Sequence, residues 1–242
     1  MSTERHTIEV SGIRVEVVRK AIKNLHLGVY PPEGRVRVAT PLRVDDEAVR
    51  LAVISKLGWI RRQQARFAEQ ARQSPREMVS GESHYFLGRR YRLRVIEHPG
   101  PFGVELSGNS HLNLYVRPGT DTARCVKVLQ DWYRRELKVR IPVLIAQYEP
   151  VIGVEVAEWG VKKMKTRWGT CNADARRIWL NLELAKKPPR CLEYIVVHEM
   201  VHLLERHHNA HFRELMDRFM PQWKLARDEL NRAPLAHEDW TY

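Results

Sequence analysis

Two histidines four residues apart, His198 and His202, with Glu199 between them, are the feature that most constrains the fold of this chain. An α-helix places residues at this spacing one above the other on one face, so a helix here directs both imidazoles to one point. The residues just before it, 194–197, are almost entirely apolar, which predicts that the helix is buried. Because buried histidine and glutamate side chains need polar partners, the pattern indicates a metal site.

A helix with this pattern is typical of zinc hydrolases. Zinc lowers the pKa of a bound water, and a carboxylate one position round the helix can accept the proton that the water releases. Glu199 is therefore the predicted catalytic base. The predicted cofactor is one Zn²⁺ ion, although cobalt, nickel or manganese can bind the same type of ligands. Water activated in this way attacks amides, esters or phosphoric anhydrides.

A third protein ligand has to follow His202, because a catalytic zinc normally has three protein ligands and one water. His208 is the preferred candidate, and it requires the helix to end near Arg206 so that the chain turns back. Asn209 favours such a turn, since asparagine tolerates left-handed backbone and is a strong N-cap for the helical pattern over 210–220. The alternatives, in order of preference, are Glu205, His211 and His207.

Glu205 is the first alternative because it lies three residues after His202 and seven after His198, on their side of a helix that continues unbroken. Metzincins use the same ligand spacing but have a glycine at the position that Glu205 occupies here. If this chain turns back, it must therefore do so in a different way.

Three segments carry a family resemblance. They are Trp159-Gly-Val-Lys-Lys-Met-Lys-Thr-Arg-Trp-Gly-Thr-Cys171, Arg177-Ile-Trp-Leu-Asn-Leu-Glu-Leu184 and the histidine helix. In order and spacing they resemble the YgjP-like metal-dependent hydrolases, relatives of the SprT and zincin metallopeptidases, and the resemblance extends over nearly the whole chain to Trp240. It implies that His198, His202 and His208 bind zinc and that Glu199 is the base. Thr170 stands where the family usually has serine.

The resemblance implies a zinc metallopeptidase, in which zinc-bound water activated by Glu199 attacks a peptide bond. It also admits a metal-dependent nucleotide pyrophosphatase acting on UTP, and a DNA-associated protease like the SprT relatives. The substrate is thus expected to be a peptide or a nucleotide. Arg167 is a candidate catalytic residue that stabilises a tetrahedral oxyanion or a triphosphate, and its alternative role is an ion pair with a buried carboxylate.

The net charge is strongly positive, at +12 from 41 basic and 29 acidic residues, which favours an anionic partner such as nucleic acid, a nucleotide or an acidic protein. A solvated surface explains the same charges equally well. The basic clusters include Arg61, Arg62, Arg89, Arg90, Arg92 and Arg94.

Three features of the sequence predict a cytoplasmic location with no membrane partner. No apolar stretch approaches the roughly 20 residues that span a bilayer, and residues 1–9 lack the apolar core of a signal peptide. The three cysteines, Cys125, Cys171 and Cys191, form no Cys-x-x-Cys pair, which is typical of a reduced protein.

Hydrophobic periodicity predicts an α+β fold in two regions. Residues 1–118 are expected to form a mostly antiparallel sheet with one long helix that begins near Asp45. Residues 119–242 are expected to form a zincin-like catalytic region of helices with a short sheet. Its first helix is predicted over 125–144, with a kink or break at Pro142.

Two expectations concern the catalytic region in more detail. In zincins an edge strand beside the metal holds an extended peptide, and residues 176–184 are the segment predicted to supply it. The charged and proline-containing tail, 221–242, is predicted to wrap the domain with Trp223 and Trp240 as anchors.

Overall fold

The computed structural model describes residues 4–30, 33–69, 77–164 and 167–232. These residues form six α-helices and three mixed sheets, so the predicted α+β class is confirmed. The chain divides into two units, with the division between residues 75 and 76. The boundary predicted between 118 and 119 falls inside the second unit, between a strand and a helix whose side chains share one hydrophobic core.

The first unit is a four-stranded sheet with two helices. Its strands have the order β1-β2-β4-β3, and only the β2–β4 pair is parallel. Alternate valines of β2 and β4 are fully buried together with the apolar side of the helices. The chain breaks the predicted single helix at Lys56, whose N–H bonds the carbonyl of Val53 at 3.0 Å. The elements are β1 (Glu4–Val10), β2 (Ile13–Lys20), β3 (His26–Tyr30), β4 (Arg35–Pro41), α1 (Asp46–Ser55) and α2 (Leu57–Glu69).

The second unit begins with another four-stranded sheet, ordered β5-β6-β8-β7, in which the β6–β8 pair is parallel. One face of this sheet packs on a long helix, α3 (Thr122–Ile152), which starts at the N-cap Asp121. The helix continues through Pro142 and Pro150 instead of ending. Both prolines are exposed, so water can bond the carbonyls that lose their N–H partners. The strands are β5 (Ser83–Phe86), β6 (Arg89–Glu97), β7 (Gly103–Ser107) and β8 (His111–Val116).

The third sheet has the order β10-β11-β9 and precedes three helices. Strand β11 pairs with both neighbours, so the prediction that 176–184 supplies an edge strand is wrong, and β10 is the edge that contacts helix α4. The elements are β9 (Glu158–Lys162), β10 (Gly169–Asn172), β11 (Arg177–Asn181), a 3₁₀ helix (Leu182–Lys186), α4 (Pro189–Val201), α5 (Ala210–Phe219) and α6 (Trp223–Arg232).

Helix α6 corrects the expectation of a wrapping tail. Trp223, Ala226 and Leu230 recur at helical spacing and are buried in the core of the second unit. Trp240 lies outside the described residues. None of the helices in the described part of the chain combines the length and apolar composition of a membrane-spanning segment.

Candidate metal centre

The histidine pattern lies on α4, a helix in the middle of the core. Nine of its 13 residues are buried, so it is enclosed on most sides, as the apolar run before His198 predicts. Proline at the first helical position, Pro189, suits a helix start because no N–H is needed there. His198 and Glu199 therefore project from a rigid element that contacts α3, α5, α6 and strand β10.

The chain turns back immediately after the second histidine. Helix α4 ends at Val201, several residues before the predicted end, and His202 is its C-cap. The N–H groups of Leu203 and Leu204 bond carbonyls three residues earlier at 3.0 and 2.9 Å, which tightens the last turn. None of residues 202–208 has a positive φ, so the reversal needs no glycine. This explains how Glu205 can occupy the position where metzincins have glycine.

Asn209 starts the next helix, α5, as predicted. Its Oδ1 accepts a hydrogen bond of 2.9 Å from the N–H of Phe212. This cap sets the point at which the chain resumes helical structure, and therefore where the preceding residue, His208, lies.

Three imidazoles converge in the space between these elements. His208 Nε2 lies 2.9 Å from His198 Nε2 and 3.0 Å from His202 Nε2. The ligand nitrogens of all three lie within 4.8 Å of one another. Nitrogens bound to one tetrahedral zinc at about 2.0–2.1 Å are roughly 3.3 Å apart, so this spacing suits a shared ion.

The electrostatics of the imidazoles suit a metal as well. Burial and the neighbouring histidines lower the pKa of His198 to about 3, and burial lowers the pKa of His202. Both are therefore neutral near pH 7, with a lone pair available. His202 Nδ1 lies 3.0 Å from the carbonyl of Glu205 and must donate to it, which leaves Nε2 without a proton.

The alternative ligands do not join this group. The Glu205 carboxylate accepts a hydrogen bond of 2.9 Å from the N–H of His207, and so stabilises the turn. His207 is exposed, and His211 lies 3.8 Å from the carboxylate of Glu214 on the outside of α5. Within the described residues, the three-histidine group that could hold a metal is His198, His202 and His208.

Phe212 supports all three imidazoles. Its ring centre lies 5.0 Å from that of His198, 4.7 Å from His202 and 4.8 Å from His208, and the residue is 2% exposed. Phe212 was not among the site residues predicted from the sequence. The sequence pattern that could have identified Phe212 is an apolar residue three positions after the N-cap Asn209. In the first turn of α5 this position faces the turn that carries His208.

Glu199 lies beside the three imidazoles. It is 5% exposed, and none of the described residues donates a hydrogen bond to its carboxylate. Burial raises its pKa to about 8, and the guanidinium of Arg167 partly offsets this. A buried carboxylate without a donor is costly, and a divalent cation next to it would lower its pKa. The residues therefore fit a zinc ion held by three imidazoles, with Glu199 adjacent.

Gly169 makes room for this carboxylate. A Cβ added to Gly169 would lie 2.5 Å from Glu199 Oε1 and 2.7 Å from its Cγ. Any other residue at this position of β10 would push the carboxylate away from its present place. The glycine belongs to the Arg-Trp-Gly-Thr run of the sequence. A glycine is needed there because the strand contacts Glu199, which lies in a distant segment of the chain.

A buried asparagine holds the loop before β10. Asn181 Nδ2 donates to the carbonyls of Met164 at 2.9 Å and Arg167 at 2.7 Å, while its Oδ1 accepts from the N–H of Glu183 at 3.1 Å. Its own N–H bonds the carbonyl of Trp168 at 2.9 Å. Asn181 therefore positions the backbone that carries Arg167 and leads to Gly169, a role that the sequence analysis missed.

A cavity of about 890 Å³ opens over the imidazoles and Glu199. This volume is in the range of sites that enclose a ligand. Strand β10, helix α6 and the turn after α4 form its walls, and among the described residues three arginines line it: Arg167, Arg206 and Arg227. Arg167, predicted as a catalytic residue, thus shares the cavity with Glu199. The other two arginines were not predicted, because the turn and α6 carry them there from distant positions.

Cys171 also lines this cavity, and burial raises the pKa of its thiol to about 11. The thiol is therefore protonated near pH 7 and does not belong to the three-histidine group. Cys125, Cys171 and Cys191 are all free thiols.

Comparison with known proteins identifies a family for this chain. The sequence model of the YgjP-like metallopeptidase domain matches residues 23–233. Among solved structures, the metallopeptidase zymogen of Pyrococcus abyssi abylysin is similar over 37% of this chain and 90% of its own, with 17% identity and a TM-score of 0.35. A search of curated proteins found no match. Because the family match spans most of the chain, including α4 and the turn after it, the chain belongs to the YgjP-like family of metallopeptidase domains and is a metal-dependent hydrolase of the peptidase type.

Proposed function

We propose that this protein is a zinc-dependent peptidase in which His198, His202 and His208 hold the ion and Glu199 is the catalytic base. The observation that carries the proposal is the convergence of three imidazole nitrogens within 4.8 Å beside a buried carboxylate to which none of the described residues donates a hydrogen bond. Three protein ligands leave a fourth position for water or substrate, which is the arrangement of catalytic and not of structural zinc sites.

His198, His202 and His208 would hold a zinc ion whose Lewis acidity would acidify a water and polarise the scissile carbonyl. Glu199 accepts the proton of the attacking water and delivers it to the leaving amine nitrogen. No described residue donates to either of its oxygens, so both are available for these transfers. Arg167, on the same cavity wall, donates to the oxyanion that develops on the substrate, and its charge favours the ionised form of Glu199.

Strand β10 is the proposed binding strand for the substrate. It is the edge strand of its sheet that contacts α4, and it lines the cavity from Gly169 to Asn172. An edge strand has N–H and C=O groups that can pair with an extended peptide. A peptide added alongside β10 would bring one of its carbonyls next to Glu199, which contacts the first residue of this strand.

The test is hydrolysis of fluorescently labelled unfolded proteins and peptides by the zinc-loaded protein. Glu199→Gln should lose at least about 100-fold in activity, in the range expected for a general base, while it keeps one zinc per chain. Glu214→Gln, an exposed carboxylate change on α5, is the matched control and should retain full activity. Full activity of Glu199→Gln would contradict the assigned base, and no zinc bound by the wild type would contradict the metal.

A second candidate function is the pyrophosphatase acting on UTP. It is favoured by the arginines of the cavity, because Arg167, Arg206 and Arg227 together suit a polyphosphate better than a neutral peptide. Pyrophosphate release from UTP should be measured beside Glu199→Gln. UTP turnover that disappears in this variant and in Arg206→Ala, with no peptide cleavage, would assign the site to nucleotides.

A further inference from the structure

The outer face of the β5–β8 sheet carries a row of arginines. On β6, Tyr91 and Leu93 point into the core, while the alternate residues Arg90, Arg92 and Arg94 are exposed on the opposite face. Residues two apart on a strand have Cα atoms about 6.7 Å apart, so the three arginine side chains extend from evenly spaced points along β6. The sheet therefore presents a regular row of positive charge, distinct from the metal centre on α4.

In the part of the chain that the structure describes, the arginines of this row have no acidic partner. Among the described residues none of the three takes part in an ion pair or a side-chain hydrogen bond. The outer face has one carboxylate within the four strands, Glu105, and that carboxylate accepts a hydrogen bond of 3.1 Å from the hydroxyl of Tyr115. Glu105 also lies on the far edge strand β7, with β8 between it and β6. The positive charge of the row is thus not neutralised on its own face.

Aromatic and polar side chains flank the row on both sides. Tyr85 of β5 is directly opposite Arg90, and His111 and Asn113 of β8 are opposite Arg92 and Arg94. In the antiparallel β5–β6 pair, directly opposite side chains have Cβ atoms about 4.5–5.5 Å apart, so Tyr85 and Arg90 are cross-strand neighbours on this face. The ring of Tyr85 is half-buried and stacks on no other ring within the described residues.

We propose that this face, defined by Tyr85, Arg90, Arg92, Arg94 and His111, binds single-stranded nucleic acid. Guanidinium groups in a line contact successive phosphates of an extended strand, and adjacent rings stack on its bases. An acidic polypeptide would use the charges but not the rings. A membrane surface would bind the charges together with exposed apolar side chains. The exposed positions of this row, however, are arginines and not apolar residues. The combination favours nucleic acid.

The first test uses a fluorescently labelled oligothymidylate of about 16 nucleotides, the upper end of typical site sizes. Its affinity for the full chain is measured by anisotropy between about 50 and 200 mM salt. The variant with Arg90→Gln, Arg92→Gln and Arg94→Gln should bind at least about tenfold more weakly at low salt. Its salt slope should be flatter by about 2, since each phosphate contact on a single strand contributes about 0.7.

A matched variant separates this surface from general positive charge. Arg61→Gln, Arg135→Gln and Lys138→Gln remove the same charge from exposed positions on α2 and α3. This control should retain the affinity and the salt slope of the wild type. Equal losses in both triple variants, or no binding by the wild type at about 50 mM salt, would overturn the proposal. Thermal unfolding of each variant shows that the fold is retained.

The rings provide the second test. Tyr85→Ala should weaken binding about 5-fold or more without changing the salt slope, because stacking involves no counterion release, and Tyr85→Phe should retain the affinity. An unchanged affinity in Tyr85→Ala would remove the stacking part of the proposal and leave a polyanion site. Polyglutamate or vesicles of phosphatidylglycerol that bind as tightly as the oligonucleotide, with the same dependence on the three arginines, would overturn the assignment to nucleic acid.

Discussion

Gly169 and Glu199 are in direct contact although 30 positions separate them in the sequence. The backbone of the β10 edge strand packs on the carboxylate, so that a Cβ at Gly169 would lie 2.5 Å from Glu199 Oε1. No positive φ is needed at this glycine, so what it provides is space and not backbone freedom. The contact fixes where the proposed base lies relative to the three imidazoles and to the strand that we assign to the substrate.

Gly169→Ala should therefore lower activity with little effect on folding. The added methyl group displaces the carboxylate, and a displacement of about 1 Å in a catalytic group can cost about 100-fold in rate. Zinc content should stay at one ion per chain, because the three histidines are not displaced. The measurements are kcat on the substrate identified for the wild type and zinc content after dialysis.

Gly103→Ala is the control for this substitution. It adds the same methyl group to a strand, but at a site where the nearest atom, Tyr115 Cδ2, would be 3.8 Å away. It should retain wild-type activity and zinc. Wild-type activity in Gly169→Ala would show that the Glu199 carboxylate can move without loss of activity. Its exact position would then not matter for catalysis.

His208→Ala should remove most of the bound zinc, because two imidazoles from α4 remain and a third ligand is lost. Glu205→Ala should retain the zinc, since its carboxylate bonds the N–H of His207 and its carbonyl, which orients His202, is unchanged. Equilibrium dialysis with metal analysis compares the two. The opposite ranking would transfer the ligand role to Glu205.

Asn181→Asp should destabilise the loop that carries Arg167. The change replaces two N–H donors by an acceptor that faces the carbonyls of Met164 and Arg167, and unsatisfied buried groups cost about 1–3 kcal/mol each. The free energy of unfolding, from urea titration, should fall by about 2 kcal/mol or more. In the folded variant, kcat should fall more than zinc affinity does.

Asn172→Asp is the matched control for that change. Asn172 is exposed, and its Oδ1 accepts from the N–H of Ala175 at 3.1 Å, a bond that aspartate can also form. Its stability should match that of the wild type. If Asn181→Asp and Asn172→Asp behaved alike, the loop would not depend on the buried amide.

Lys187 should make stability depend on alkaline pH. It is 6% exposed, and burial lowers its pKa from 10.5 to about 8, against the opposing attraction of Glu183. Between these two values the unfolded chain binds the proton and the folded chain does not, so this residue's contribution to stability rises with pH. Below pH 8 the buried lysine is charged, and its burial destabilises the folded state most. This destabilisation should decrease by about 3 kcal/mol between pH 8 and pH 10.5.

The measurement is the free energy of unfolding of the wild type and Lys187→Met across this pH range. Near neutral pH, Lys187→Met should be the more stable of the two. The difference in their free energies of unfolding should then decrease by about 3 kcal/mol as the pH rises from 8 to 10.5. Lys138→Met, on the exposed side of α3, serves as the control and should follow the wild type. A constant difference between wild type and Lys187→Met would show that Lys187 is not desolvated.

Several parts of the molecule were accessible from the sequence. The family and the α+β class are confirmed, because the hydrophobic periods and motif spacings that predict them are local. The N-cap at Asn209 was predicted from its residue type alone and is confirmed. The roles of His198, Glu199, His202, His208 and Arg167 stay predictions, although the structure brings these residues to one cavity.

Other parts were not accessible. The end of α4 at Val201 depends on a tight turn that no glycine marks, and the edge position of β10 depends on which strands pair. Helix α6 was misjudged from its charges, because three apolar residues at helical spacing are enough to bury one side of it.

By itself the sequence determined that His198, Glu199 and His202 share a helix, because a helix relates residues four apart through its own hydrogen bonds. Only the tertiary structure decided that His208 returns to them, that Phe212 lies behind all three imidazoles and that Gly169 makes room for the carboxylate. Those relations arise from packing between segments distant in the chain, and such packing depends on the whole core and not on any local pattern.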